Sequence, residues 1–343
     1  MATPHVAVIM AVYNAEKYLE ECIKSVLCQT FREFEFVIVD DASTDETLNI
    51  IKKYAQQDNR IIYAVNEVNS ERSFSRNRAI ELSNSELIAV MDADDVAIPD
   101  RLEKQVAVMR THQDVAVVGG AMVGYEDQRP FVAPTTRLPA KLLFNSVIYH
   151  PTCMFRKEAF QRIGGYDESQ PLAEDYSLWV NFVRSGYSLA NIQDVLIRYR
   201  VHPDKPRVSY REALRQSVNT VWLRQLSYLG VEADTLELDI HGSCASLERE
   251  IPWRVRQIEK WLAKLQSANR RQLYISSEVL EHECIAIQKA LSVPILFTKE
   301  PTQYLTKIIL HIFINFCRRT GRLGRFVETL MRMVARFLKK REL

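Results

Sequence analysis

The 343-residue sequence carries a net charge of only +2, with 47% hydrophobic and 26% charged residues. This composition predicts a globular protein with one large domain and a smaller one, and it excludes a protein built wholly around nucleic acid. The six cysteines form no CxxC pair, and neither a charged N-terminal region nor a run of 18 apolar residues occurs. We therefore expect free thiols, no signal peptide and a cytoplasmic location.

The first 110 residues alternate strand and helix patterns. "VAVIMAV" (6–12) is apolar without a period, which is typical of a strand buried on both faces, and Asn14 is predicted to cap the helix that follows. Pro99 is predicted to lie in the first turn of the last helix of this region. Four β-then-α units predict a mostly parallel sheet covered by helices. The further strands are expected at 34–41, 60–66 and 86–95, and the further helices at 45–57, 73–83 and 100–112.

The pattern changes in the second half of the chain. A helix is predicted in "AEDYSLWVNFVRSG" (173–186) and a strand in "VLIRYRVHP" (195–203). After about residue 210 only long helical patterns remain, with little glycine or proline. We therefore predict an α/β domain over residues 1–212, followed by a helical C-terminal domain over residues 213–343.

Polar side chains collect where the predicted parallel strands end, which is the edge where ligands bind in such sheets. Capping of the next helix is the alternative explanation for each of them; it suits Asp45, but it accounts for one member at most of the acidic group after the fourth strand. Closely spaced carboxylates repel one another, so that group predicts a divalent cation, and oxygen ligands favour Mg²⁺ or Mn²⁺. The residues concerned are Tyr13, Asn14, Asp40, Asp41, Asp92, Asp94 and Asp95.

Three stretches in order, "VAVIMAVYNAEKYLEECIKSVLCQTFREFEFVIVDDASTDET", "SRNRAI" and "MDADD" with "P.RLEKQ" after it, resemble the nucleotide-sugar half of family 2 glycosyltransferases. The resemblance spans about residues 5 to 205. It implies the GT-A fold, a nucleoside-diphosphate sugar donor such as a UDP-sugar, Mn²⁺ or Mg²⁺ as cofactor, and inversion at the anomeric carbon. The chain departs from the family in "NEVNSERSFSRN", where family members usually carry a glycine.

The same resemblance implies roles for individual residues. Asp94 is expected to bind the metal, and His202 in "YRVHPDK" is expected near the metal or the diphosphate, with a surface histidine as the alternative. The role of the adjoining Asp95 stays open. The positions expected to hold the base, the ribose and the diphosphate are Ala11, Tyr13, Glu16, Asp41, Arg76 and Asp92.

The segment "GGYDESQPLAEDYSLWVNFVRSG" resembles the acceptor side of these enzymes. The resemblance implies that Asp175 is the base that takes the proton of the acceptor hydroxyl, with Glu174 beside it. An acidic first turn favoured by the helix dipole is the alternative. His150 is expected either to line the acceptor pocket or simply to start a strand, and Trp179 is expected to pack in the core rather than to stack on a sugar.

The last part of the chain is basic, since residues 301–343 carry only two acidic side chains, Glu328 and Glu342, among many lysines and arginines. Apolar positions between 323 and 338 recur on one helical face, with basic residues roughly opposite. This pattern predicts peripheral contact with the cytoplasmic face of an anionic membrane, next to a lipid-linked acceptor. A helix packed on the protein or on a second copy is the alternative.

Together these features predict an inverting, metal-dependent hexosyl- or N-acetylhexosaminyltransferase acting on a glycan or lipid-linked acceptor in polysaccharide synthesis. A sugar nucleotidyltransferase is an alternative, but it is expected to open with a glycine-rich phosphate loop, which "MAVYNAEKYLE" is not. A glycan-assembly scaffold without activity is a second alternative, against which the full set of aspartates argues.

Overall fold

The computed structural model describes residues 5–170, 172–200, 208–246 and 254–292. The predicted His202 and the basic segment 323–338 lie outside these residues. In the first part of the chain, strands and helices alternate as β1 (Val6–Val12), α1 (Leu19–Leu27), β2 (Phe34–Asp40), α2 (Thr47–Gln57), β3 (Ile61–Val65), α3 (Glu71–Leu82), β4 (Leu87–Val90), β5 (Val96–Ala97) and α4 (Arg101–Thr111).

The middle of the chain adds short strands and helices, and the last part is helical. The middle elements are β6 (Val115–Gly124), β7 (Pro130–Phe131), α5 (Leu138–Leu142), a 3-10 turn (His150–Thr152), β8 (Met154–Arg156), α6 (Lys157–Arg162), α7 (Glu174–Arg184) and β9 (Ser188–Tyr199). The helices that follow are α8 (Val208–Tyr228), α9 (Thr235–Ser246), α10 (Arg254–Gln272) and α11 (Ser277–Ser292).

The nine strands form one sheet in the order β3-β2-β1-β4-β8-β6-β9-β5, with β7 paired to β6. The first four of these strands run parallel, as predicted, and β8 then joins β4 and β6 in antiparallel fashion. Val12 pairs with Asp40, and Ile9 pairs with Val90. Because of this register, the residues after β1, β2 and β4 meet at one edge of the sheet.

Alternate residues of β1 pack into two different cores. Val8 and Met10 face one core with α1, whereas Ala7 and Ile9 face the other with α3 and α7. The strand is therefore buried on both faces, as its aperiodic apolar sequence predicts.

Two predicted helix starts are wrong. Helix α1 begins at Leu19, and Asn14 has a left-handed φ of 49° while its side chain accepts a hydrogen bond from the Thr44 amide at 2.8 Å. Asn14 therefore joins the β1 and β2 loops instead of capping a helix. Pro99 lies before the first turn of α4, which begins at Arg101.

The C-terminal helices build a third core against the segment around α5. Leu226, Leu262 and Leu280 are fully buried there together with Leu143. The predicted domain boundary at residue 212 falls inside α8, whose Trp222 also packs into the second core. The two-domain division stays a prediction.

Within the described residues, no helix has both the length and the apolar character needed to cross a membrane.

Gly120 in β6 lies where the sheet leaves no room for a side chain. A Cβ atom there would be 2.6 Å from Cδ1 of the fully buried Leu196 and 3.1 Å from the Asp194 carbonyl oxygen. We expect Gly120→Ala to lower the free energy of unfolding by about 1–3 kcal/mol, because the fully buried Leu196 must shift to admit the added methyl group. Denaturant unfolding measures this, with the exposed Gln193→Ala on β9 as the control. Equal stability of the two variants would contradict the close approach.

Candidate active site

The three aspartates after β4 lie in different environments. The Asp92 carboxylate is about one third exposed (32%) and accepts a 3.1 Å hydrogen bond from Nη2 of Arg76. Burial acts to raise the pKa of Asp92, but the Arg76 charge outweighs it and holds the pKa below its ordinary value. Asp94 is partly exposed at the turn, and its carbonyl oxygen accepts a bond from Nε of Arg200 at 3.0 Å.

Asp95 points into the protein instead of toward the sheet edge. Its Oδ1 accepts a bond from the Arg200 amide at 2.9 Å, and its Oδ2 is buried with no hydrogen-bond partner among the described residues. Burial, and then the charge of Asp92, raises the pKa of Asp95 to about 8. Asp95 therefore makes a structural contact with Arg200. The sequence had left the role of Asp95 open.

Arg76 of α3 joins the acidic turn, residues 92–95 after β4, to helix α7. Its Nη1 donates to Oε1 of Glu174 at 2.8 Å, while Nη2 donates to Asp92, and both Arg76 and Glu174 are buried. Burial acts to lower the pKa of Arg76, but the neighbouring charges, that of Asp92 first, raise it above the ordinary value. Arg72, one turn earlier and half exposed, approaches the same Glu174 oxygen at 3.8 Å.

Asp175 follows Glu174 in the first turn of α7 and lines a cavity of about 300 Å³. Arg76, Asp92 and His150 line the same cavity. Burial, and then the charge of Glu174, raises the pKa of Asp175 to about 6. A carboxylate of this pKa is ionised at neutral pH and is a more effective proton acceptor than an ordinary aspartate.

His150 is held by a residue that the sequence did not indicate. Its Nε2 lies 2.9 Å from the Tyr166 hydroxyl, and burial, then the Arg76 charge, lowers the pKa of His150 to about 3. The imidazole is therefore neutral, and it lines the cavity, in the turn that directly precedes β8. Its role at an acceptor pocket stays a prediction. Trp179 is fully buried beside it, so the predicted packing role is confirmed.

The positions predicted for the nucleotide lie at the edge where β1 and β2 end. Asp41 is buried, and its Oδ1 accepts bonds from Asn66 Nδ2 at 2.5 Å and from the Ser70 amide at 2.9 Å. Tyr13 is half exposed, and Ala11, in β1, is partly exposed.

The exposed Glu16 connects the loops after β1 and β2. Its amide donates to Asp45 at 3.2 Å, and its own carboxylate accepts a bond from the Glu46 amide at 3.0 Å. Asp45 was predicted to cap α2, but the N-cap position is Glu46. Asp45 lies one residue earlier and accepts a bond from the Thr47 amide at 3.0 Å. These bonds hold the loops after β1 and β2 together next to the exposed Tyr13 side chain.

Arg200, at the end of β9, was missed by the sequence analysis. Besides its two bonds to the acidic turn, it pairs with Glu21 Oε2 at 2.9 Å. Its guanidinium lies 3.9 Å from the centre of the Tyr125 ring and 4.4 Å from that of Tyr18. The only sequence signal was its place at the carboxyl end of a strand, next to the resemblance-based His202.

A second buried cation lies behind the acidic turn. Arg101 is 1% exposed, and its Nη2 donates to the Val90 carbonyl at 2.7 Å and to the Cys153 carbonyl at 3.3 Å. Burial lowers the pKa of Arg101 to about 10, so it remains charged at neutral pH. Its positive charge partly offsets those of Asp92 and Asp95.

The donor set at the turn fits a divalent cation that is completed by a ligand. Among the described residues no three His, Cys, Asp or Glu side chains converge on a metal-sized site. Mg²⁺ and similar cations are commonly held by one or two carboxylates together with substrate phosphates and water. Asp94 and the nearby Asp92 provide two such carboxylates at the open edge of the sheet.

Two family models match the chain. The model described as "Glycosyl transferase family 2" matches residues 7–164, and the one described as "Glycosyl transferase family group 2" matches residues 87–265. The matched residues include β1 to β4, the acidic turn and helix α7.

Similar curated proteins come from several microorganisms. The putative glycosyltransferase EpsE of Bacillus subtilis is 34% identical over 207 residues, covering 59% of this chain and 74% of EpsE. The O-antigen biosynthesis glycosyltransferase WbnJ of Escherichia coli is 31% identical over 224 residues, covering 62% of this chain and 87% of WbnJ. An uncharacterised glycosyltransferase of Methanocaldococcus jannaschii is 34% identical over 59% of this chain and 72% of its own length.

Solved structures share the fold. TarS 1–349 of S. aureus in complex with UDP-GlcNAc superposes with a TM-score of 0.56 at 20% identity, over 84% of this chain and 89% of TarS 1–349. The mannosyltransferase PcManGT of Pyrobaculum calidifontis, in complex with GDP-Man and Mn²⁺, superposes with a TM-score of 0.56 at 20% identity. The match covers 88% of this chain and 89% of PcManGT. Both are GT-A glycosyltransferases, so the predicted GT-A fold is confirmed.

Arg76 and Arg72 share one carboxylate but differ in burial, which makes them a matched pair. We expect Arg76→Met to lower the free energy of unfolding by about 3–5 kcal/mol, because the buried Glu174 loses its hydrogen-bonded cation and keeps only the longer contact with Arg72. Arg72→Met should change it by less than about 1 kcal/mol, since that ion pair is half exposed. Denaturant unfolding of both variants measures the difference.

The double variant Arg76→Met, Glu174→Gln provides the control for this prediction, because it should recover part of the lost stability. Equal losses for Arg76→Met and Arg72→Met would show that the buried ion pair does not hold α7 to α3.

Proposed function

The chain belongs to glycosyl transferase family 2, and we propose that it transfers a sugar from a nucleoside-diphosphate sugar to a hydroxyl group of a glycan or lipid-linked acceptor, with inversion. That the protein is a glycosyltransferase follows from the family. The proposal concerns the donor, the acceptor, the metal and the residues that act. The observation that carries it is the cavity in which Asp175, with a pKa of about 6, shares its walls with Arg76 and Asp92 of the donor-side edge.

In the proposed reaction Asp175 accepts the proton of the acceptor hydroxyl. The acceptor oxygen then forms a bond to the anomeric carbon while the bond from that carbon to the diphosphate oxygen breaks. The nucleoside diphosphate leaves with the electron pair, and attack from the opposite face inverts the anomeric centre. No covalent intermediate with the enzyme is needed.

The donor side is assigned to the edge formed by β1, β2 and β4. Tyr13 offers an exposed ring for the base, and Asp41 a fixed carboxylate for the ribose, supported by Ala11, Glu16, Arg76 and Asp92. A divalent cation, Mn²⁺ or Mg²⁺, held by Asp94 would supply positive charge to the diphosphate oxygens. His202 is proposed as a further ligand on the family resemblance alone.

UDP-sugars are the first donors to test. TarS was solved with UDP-GlcNAc, and the mannosyltransferase PcManGT with GDP-Man and Mn²⁺. The relative WbnJ is named for O-antigen biosynthesis, which supports a role in polysaccharide synthesis.

Peripheral contact with the cytoplasmic face of a membrane is also part of the proposal. Its support is the basic amphipathic pattern at 323–338, outside the described residues, and the proximity that a lipid-linked acceptor requires.

The pH dependence of transfer tests Asp175. We expect kcat/KM to fall below a pH of about 6, because only the ionised carboxylate accepts the proton. Asp175→Asn should lower transfer by a factor of about 10²–10⁴ while donor binding persists. Glu174→Gln should shift the acid limb to lower pH, because the Glu174 charge raises the pKa of Asp175. An active Asp175→Asn enzyme with an unchanged pH profile would move the base elsewhere.

Metal removal tests the acidic turn. UDP-sugar hydrolysis or transfer should stop in excess chelator and return with Mn²⁺ or Mg²⁺. Asp94→Asn should raise the Mn²⁺ concentration needed for half-maximal activity by at least about tenfold, as expected when one of few ligands is lost. The exposed Asp127→Asn, after β6, is the control. Full activity in chelator would refute the metal assignment.

A further inference from the structure

Helix α8 carries an apolar stripe of which only one half is covered by protein. Positions 210, 214, 218, 221 and 222 recur at helical spacing on one side of the helix. Val221 and Trp222 are buried in the second core, and the Trp222 indole donates to the Phe144 carbonyl at 2.9 Å. Toward the start of the helix, Tyr210 is 41% exposed and Leu214 is 36% exposed.

The uncovered half of the stripe faces the cavity that holds the proposed base. Tyr210, Leu214 and Val218 line the same 300 Å³ cavity as Asp175 and Arg72. One wall of the cavity is therefore apolar and the other is ionic. Its volume lies at the lower end of the range for small-molecule sites, about 300–1,000 Å³.

A sugar ring has the chemistry that such a cavity recognises. A pyranose presents C–H groups on its faces and hydroxyl groups around its edge, so it can pack one face on an aromatic or aliphatic wall while its edge reaches polar groups. A wholly apolar occupant would cover the Asp175 carboxylate without offering it a polar partner, which is unfavourable for a charged group.

From this juxtaposition we infer that Tyr210 and Leu214 form the acceptor subsite, on which the acceptor sugar packs one face with a hydroxyl directed to Asp175. The inference rests on the proposed function and adds to it the wall that selects the acceptor. It also gives the C-terminal helical region a part in specificity, since α8 supplies this wall. Tyr210 and Leu214 act by binding the acceptor and take no part in proton transfer.

The test uses the full-length protein and three probes, the p-nitrophenyl β-glycosides of glucose, galactose and N-acetylglucosamine. Saturation-transfer NMR measures contact between protein and sugar C–H groups without any turnover. Transfer kinetics with UDP-GlcNAc then separate the KM of the glycoside from the KM of the donor. Tyr210→Ala and Tyr210→Phe are compared with Leu223→Ala, whose side chain is 44% exposed on the opposite side of α8.

We expect at least one glycoside to receive saturation from the wild-type protein. Tyr210→Ala should weaken its binding and raise its KM by about tenfold, the loss expected for one ring contact. The donor KM should stay unchanged. Tyr210→Phe should recover most of the binding that Tyr210→Ala loses, because it keeps the ring. Leu223→Ala should behave like the wild type, because this side chain lies off the cavity.

Three results would overturn the inference. They are saturation of none of the three glycosides by the wild-type protein, equal effects of Tyr210→Ala and Leu223→Ala, and a rise in donor KM as large as that in acceptor KM. Failure of the proposed function would look different. In that case no nucleoside diphosphate would be released from any nucleotide sugar, whereas the NMR contact needs no donor at all.

Discussion

The site depends on one buried cation. Arg76 connects Glu174 and Asp92, of which Glu174 lies 98 residues further along the chain, and in doing so it joins the edge of the sheet to the first turn of α7. Removing a guanidinium and a carboxylate from water is unfavourable unless geometry and hydrogen bonds compensate. Here Nη1 of Arg76 donates to Glu174 at 2.8 Å and Nη2 donates to Asp92 at 3.1 Å. The burial of the guanidinium therefore depends on the correct placement of both α7 and the turn after β4.

The same charge arrangement gives neighbouring groups different protonation states. Beside Arg76, Asp92 has a lowered pKa and His150 is neutral, whereas Asp175, next to the charge of Glu174, has a pKa raised to about 6. Asp95, buried behind the turn, has a pKa of about 8. Carboxylates within one site thus separate into a charged group bonded to Arg76, a group whose pKa is close to neutrality and that we propose as the proton acceptor, and an internal anchor. Such separation by environment is how a site assigns different work to chemically similar side chains.

Sequence patterns predicted those structural features that depend on residues close together in the chain. The parallel half of the sheet follows from apolar runs alternating with amphipathic helices, and the motif-bearing Asp92 and Asp175 do line one cavity. The short strands β5, β7 and β8 were not identified, because two or three residues carry no usable period. Arg200 was missed because its partner Asp95 lies 105 residues away, and nothing local distinguishes it from any exposed arginine at a strand end.

In the proposed function, the donor and acceptor sites are supported by two different kinds of structure. The proposed donor edge is built from strand ends whose register is fixed by the sheet, which suits recognition of a diphosphate common to many donors. The proposed acceptor wall comes from a helix outside the sheet. This helix is held by contacts such as Gln225 Nε2 to the Leu142 carbonyl at 3.0 Å and Arg224 Nη1 to the Ser177 hydroxyl at 2.9 Å. Because those contacts lie toward the end of α8 that packs on the protein, side chains near its start are free to vary without disturbing the core. In this proposal, acceptor preference can therefore change through positions such as Tyr210, while the proposed base, Asp175, and the buried ion pair between Arg76 and Glu174 stay fixed.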